Sequence, residues 1–150
     1  MEQGTVPSAP SGPQPGELIP DFFGRDAAAR LVFRREFKGR QHLLLCFAAP
    51  FAPPVQAVLL AALAARLPAI RAAGGEAVVF VAEPAAPHPA VLLADPAGRM
   101  HERYGATDAA LLFAADRYGE IVLRRTLDDP AAALDEAQAA LEWMQLKCSL

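Results

Sequence analysis

The sequence predicts an α/β fold, a central mixed β-sheet with helices on both faces, and three observations carry that reading. Two apolar runs without alternation, "HLLLCFA" from His42 to Ala48 and "EAVVFVA" from Glu76 to Ala82, have the pattern of strands covered on both sides. Between them, in Pro53 to about Ala73, Val55, Leu59, Leu63, Leu67 and Ile70 return at three- and four-residue steps, which is the spacing of one helix face. A strand, a helix and a strand in that order imply a right-handed parallel crossover. Past them, "ALLFAADRYGEIVLRRT" reads as two strands around a turn at Asp116 to Gly119, followed by a helix from Pro130 to about Lys147.

The remaining elements follow from local chemistry. Residues 1–16 are rich in Pro, Ser and Gly and almost free of bulky apolar side chains, so they are expected to form a flexible tail. The domain is expected over 17–150. "LIPDFF" sets apolar anchors around a Pro-Asp turn, and "ARLVFRREFKGR" suggests a short hairpin closed by Lys38-Gly39. The first long helix opens with prolines in its first turn and closes at Gly74-Gly75, and Pro68 is expected to kink or divide it. "AVLLADPAGRMHERYG" gives a short strand, an Asp-Pro turn and a short helix ending at Gly105. In the last helix Leu134, Ala137, Leu141, Met144 and Cys148 form one stripe of core contacts, and Trp143 lies beside it, either over the core edge or on a contact surface.

At 150 residues, one domain is expected, large enough to bury roughly 70% of its unfolded surface without disulfides or metal. The formal net charge of -3 gives no electrostatic footprint for nucleic acid, and the basic pairs Arg34-Arg35 and Arg124-Arg125 read as solvated faces. The first residues lack the basic and apolar regions of a secretory signal, and no later run suggests a membrane span; the cytoplasm is the expected location. Two cysteines about a hundred residues apart make no disulfide framework. His42, His88 and His101 are scattered without a ligand spacing, and no glycine-rich phosphate loop follows a strand, so neither a metal nor a cofactor is expected. Asp95 and Asp116 read as turn residues beside Pro96 and Gly119.

Four stretches resemble the thioredoxin fold in its peroxiredoxin-like branch, the alkyl hydroperoxide reductase and thiol-specific antioxidant proteins. "PGELIPDFF" is similar to the family's opening Gly-x-x-x-Pro-Asp-Phe, and "FKGRQHLLLCF" to its Gly-Lys and apolar strand. "VLLADPAGRMHERYGA" resembles the Leu-x-Asp-x-x-Gly run ending in Tyr-Gly, and "LFAADRYGEIV" the Phe-x-x-Asp-x-x-Gly-x-Ile hairpin. They occur in the family's order from Pro15 to Thr126 and imply a thioredoxin-like fold.

The same resemblance places the redox site at "FAAPFAPPVQA", Phe47 to Ala57. Where thioredoxin-like proteins read Cys-Pro-Pro-Cys, this chain reads Ala52, Pro53, Pro54 and Val55. Against the peroxiredoxin Thr-x-x-Cys, Ala52 takes the threonine position and Val55 that of the peroxide-reacting cysteine. Ala110 stands where a cis-proline or an arginine is expected. Thiol catalysis needs a thiolate, which a helix N-terminus stabilises, and valine supplies none. Two thiols remain elsewhere: Cys46 inside the central strand, expected to fill space, and Cys148 near the end of the last helix.

The reading that follows is a redox-inactive domain with a degenerate site, which works by protein binding or assembly as a homodimer through its apolar remnant. The alternative is a thiol-dependent peroxidase or disulfide reductase using Cys46 or Cys148.

Overall fold

A computed structural model describes residues 11–84 and 87–148. Seven strands form one mixed sheet in the order β2-β1-β5-β4-β3-β6-β7. They are β1 (Phe23–Arg25), β2 (Leu31–Phe33), β3 (His42–Phe47), β4 (Gly75–Val81), β5 (Val91–Ala94), β6 (Leu111–Ala115) and β7 (Ile121–Thr126). The helices are α1 (Pro53–Ala72), α2 (Arg99–Arg103) and α3 (Pro130–Cys148). β3, β4 and β5 run parallel, as the crossover through α1 requires, and the outer pairings are antiparallel.

Because successive strand residues point to opposite faces, each central strand feeds two cores. Leu44 and Cys46 of β3, Ala77 and Val79 of β4, and Leu112 and Ala114 of β6 face α1 and α3. Leu59, Leu63, Leu67 and Ile70 of α1 meet them there, with Leu134, Ala137, Leu141 and Met144 of α3. The alternate residues Leu45, Phe47, Val78, Phe80 and Phe113 face the other way, where Phe22, Met100 and Tyr104 cover them. One core is thus aliphatic and alanine-rich, which lets α1 and α3 approach the sheet closely. The other is aromatic: Phe47 stacks on Phe80 with centroids 4.7 Å apart and meets Phe113 edge-on at 5.8 Å.

Several expectations are corrected. The hairpin lies one segment earlier than expected, as β1 and β2 around Asp26 to Arg30. Asp26 organises its turn, its side chain accepting from the backbone N–H of Ala28 at 3.0 Å and of Arg30 at 2.9 Å, while Ala29 takes a left-handed φ of 62°. These bonds offset a conformation that costs an L-residue roughly 1–2 kcal/mol. Pro68 does not divide α1, which runs as a single 20-residue helix. That helix is long and apolar enough to cross a membrane by length and composition, with a mean hydropathy of 1.5, contrary to the expectation that no run is. Its leucine face is nevertheless packed in the aliphatic core. Trp143 is 56% exposed, with the Lys147 ammonium 4.7 Å from its ring centroid, so it does not cover the core edge, and Cys148 is exposed past the end of the buried stripe.

Of the expected tail, the first ten residues lie outside the described residues. The last six run along the domain. Gly16 N–H donates to Ile121 O at 2.8 Å, and an Arg124 guanidinium N–H donates to Pro13 O at 2.9 Å. Gly12 and Gly105, with φ of 83° and 75°, pass backbone against backbone. A Cβ on Gly12 would strike the carbonyl of Tyr104, and one on Gly105 the carbonyl of Ser11.

His42 closes the lower end of β3. Its Nδ1 accepts from the Arg117 N–H at 3.0 Å, which leaves Nε2–H to donate to Gln145 Oε1 at 3.2 Å. Burial, more than any other influence, holds its pKa below 6.5. A lowered pKa means that the unfolded chain binds the extra proton first. The stability it contributes is therefore complete above about pH 6.5 and falls as the pH drops through the folded-state value. Thermal unfolding followed by circular dichroism between pH 7.5 and 5 is expected to show this decline, and His42→Phe to flatten it.

Candidate functional site

The turn from β3 into α1 is built to be rigid. Ala48 N–H donates to Phe80 O at 3.0 Å, continuing the β3 to β4 pairing one residue past the strand. Phe51 N–H returns to Ala48 O at 3.0 Å, and the Gln56 side-chain amide donates to that same carbonyl at 3.0 Å. Ala52 is the N-cap, extended at φ -63° and ψ 152°, with no side chain able to accept a hydrogen bond. Pro53 and Pro54 occupy the first two helical positions, where their missing N–H groups cost nothing and their fixed φ already suits the helix.

Each residue singled out in the sequence has a definite place. Ala52, Pro53, Pro54 and Val55 are exposed at the helix start, Val55 at 43%. Ala110 is buried one residue beyond the Phe47–Leu111 pair, in the aliphatic core with Ala48, and its carbonyl accepts from Leu127 N–H. Phe51 also packs against that core. The apolar residues around the turn therefore do not share one surface: Ala110 is buried, Phe51 half-buried, and Pro50, Pro53, Pro54 and Val55 exposed. No peptide bond among the described residues is cis. Arg117 stands by His42 at the far end of β3, and Arg103 donates to Asp21 O at 2.8 Å.

Cys46 is fully buried, and desolvation pushes its thiol up to about 12, so it carries no appreciable thiolate at neutral pH. Cys148 is exposed at the end of α3. Among the described residues no three His, Cys, Asp or Glu side chains stand close enough to hold a metal ion. His88 pins the segment before β5 onto α1. Ala90 N–H donates to its Nδ1 at 3.0 Å, so Nε2–H donates to Leu60 O at 2.8 Å.

Sequence reading missed the pair that holds the turn. Asp95 and His101, taken there as a turn residue and a scattered histidine, form a buried unit. His101 Nδ1–H donates to Asp95 Oδ2 at 2.7 Å, and Nε2 accepts from Ala49 N–H at 3.1 Å. Asp95 also accepts from the backbone N–H groups of Met100 at 3.2 Å and His101 at 2.9 Å, which caps α2. Both imidazole nitrogens are engaged inside the protein and the residue is only 2% exposed, so His101 has no nitrogen to offer a substrate. The available signal was an aspartate at a strand end, before a proline turn and a short helix carrying a histidine.

Burial opposes ionisation of Asp95, but the bonds from the His101 ring and the two backbone N–H groups outweigh it and hold the carboxyl below its usual range. Its stabilisation is complete above about pH 4 and lost as the pH falls through the lowered value. Replacing Asp95 by Ala strands three buried donors and is expected to cost about 3 kcal/mol. Asp95→Asn, which keeps an acceptor oxygen, costs less. Urea unfolding of the two variants measures the difference.

No protein-family model matches the chain, and no curated protein does. Solved structures do match. Peroxidoxin BcpB from Mycobacterium tuberculosis aligns with a TM-score of 0.73 at 15% identity, over 85% of this chain and 95% of the other. Thioredoxin peroxidase I of Plasmodium yoelii aligns with a TM-score of 0.73 at 14% identity, over 88% and 91%. Peroxiredoxin Q of Xanthomonas campestris gives a TM-score of 0.71 at 14% identity, over 83% and 92%. With the mixed seven-stranded sheet and its flanking helices, these likenesses establish that the chain has the thioredoxin fold in its peroxiredoxin-like form.

Proposed function

We propose that the chain is a redox-inactive peroxiredoxin-like domain with a degenerate site, which works through protein contact at the start and outer face of α1. The observation that carries this reading is the exposed apolar surface at the position of the missing thiol. Pro53, Pro54, Val55 and Val58 are exposed there, Val58 at 61%. The outward face continues through Ala57, Ala61 and Ala65 without a charged side chain. Contiguous exposed apolar surface of this kind marks contacts. A second copy of the chain is the partner with the most direct test, because the same face on two protomers forms an isologous contact.

Chemistry supports the same reading. A peroxide or disulfide is attacked by a thiolate, and the helix start offers only an alanine, two prolines and a valine. The second reading, a thiol-dependent peroxidase or disulfide reductase, draws on the peroxidase names of the solved structures that share the fold. Cys148 would be its accessible thiol, since Cys46 is sealed in the core.

Two measurements separate these. Peroxide consumption with dithiothreitol is expected to be no faster for the wild type than for a Cys46→Ser/Cys148→Ser variant; turnover that vanishes in the variant would establish the enzymatic reading. Light scattering during size-exclusion chromatography is expected to show a dimer that Val55→Glu with Val58→Glu converts to a monomer. Both positions are exposed, so the fold survives. A wild type that is monomeric throughout refutes the dimeric form of the proposal.

A further inference from the structure

A second surface, separate from the β3–α1 turn, has the features of a small-molecule site. It is a solvent-open cleft of about 430 Å³ lined by the β1–β2 hairpin on one side and by the β5–α2 connection on the other. Its origin is a failure of two strands to stay paired. β1 meets β5 at a single pair, Arg25 with Ala94, and the next residues of the β5 chain are Asp95 and Pro96, which turn away into α2. Gly24 makes that one close approach sterically allowed, since a Cβ there would lie 2.9 Å from Leu93 Cβ and 3.1 Å from Ala94 O. Beyond it the hairpin and the connection diverge, and the space between them is the cleft.

The lining has two chemistries. Phe23 and Leu31, both exposed, project from the same face of the hairpin as Arg25 because strand side chains alternate. Pro96 and Ala97, both exposed, supply apolar surface opposite, and the buried Met100 closes the floor. The charged groups at the opening are Arg25 and Arg99. One Arg25 guanidinium N–H donates to Ala29 O at 3.0 Å, and among the described residues neither arginine makes an ion pair with an acid. The remaining lining group with a charge is Asp95, whose oxygens are already occupied by His101 and by the backbone N–H of Met100. The lining thus combines exposed apolar walls with two unpaired cations, and its volume falls within the range of small-molecule sites, about 300–1,000 Å³.

We propose that this cleft binds a small organic anion with an apolar tail, a carboxylate being the simplest member of the class. The tail lies along Phe23, Leu31 and Pro96, and the head is met by Arg25 and Arg99. Guanidinium groups suit this task because they are always charged and present paired donors to a carboxylate.

Octanoate is the probe, with octanol and acetate as controls for the tail and the head. Titration of the ¹⁵N-labelled full chain, followed by amide chemical shifts, is expected to give saturable octanoate binding at one site. A dissociation constant on the order of 1 mM is expected for so few atoms. Shifts should centre on Gly24, Leu31, Ala94 and Ala97. Octanol should bind about ten-fold more weakly, and acetate should leave the spectrum unchanged. Arg25→Gln with Arg99→Gln, both at exposed positions, should bring octanoate down to the affinity of octanol, and Leu31→Glu should abolish binding of both while the spectrum stays that of a folded chain. The proposal is overturned if octanoate at a concentration on the order of 10 mM shifts none of these amides. It is equally overturned if the shifts map to α1, or if the double arginine variant binds octanoate as the wild type does.

Discussion

The hydrogen-bonded chain from Asp95 through His101 to the N–H of Ala49 crosses from the start of α2 to the turn that opens α1. Much of the upper end of the sheet depends on it. Ala49 follows directly on Phe47 and Ala48, so its N–H is among the first past β3 that the sheet leaves free. Without an acceptor it would be a donor in a poorly hydrated place, and the chain would have to find another course from β3 into the helix. The imidazole supplies that acceptor only because its other nitrogen is held by a carboxylate, which fixes the tautomer. The carboxylate is in turn held by the two backbone N–H groups of α2. Three elements separated in the chain are thereby fixed by one aspartate.

The aromatic core gives this connection a firm footing. Phe47 sits at the end of β3, stacked on Phe80, with the ring of Tyr104 4.5 Å away and His101 edge-on at 5.3 Å. The Tyr104 hydroxyl donates to Pro20 O, and burial raises its pKa. The turn therefore leaves the sheet beside a fully buried ring with four ring contacts. A proline-stiffened helix start on so rigid a base presents whatever side chains it carries in one orientation, and here those side chains are an alanine, two prolines and a valine.

The elements that read clearly in the sequence are those whose burial is set by their own pattern. β3, β4 and α1 were legible because an unalternating apolar run and a leucine spacing of three and four each permit one solution in a layered α/β fold. The hairpin was displaced because its turn, Asp26 to Arg30, is composed of alanines that favour helix, and its geometry rests on the Asp26 side chain, which local propensity does not reveal. At the candidate site the absence of a cysteine between Ala48 and Ala57 was legible letter by letter. The Asp95–His101 pair was not, because its meaning depends on Ala49, more than forty residues earlier in the chain. Nor was the burial of Ala110, which takes it away from the exposed residues of the turn.

The passage of Gly12 against Gly105 bears on where this protein can be cut. Composition changes at Gly16, and a domain trimmed there would look complete by sequence. It would lose Pro13, which lies against Arg124, and would uncover the backbone of Tyr104 and Gly105 that the two glycines bring into contact. The folded unit therefore extends at least to where two side-chain-free residues can cross, several positions ahead of where the letters become hydrophobic.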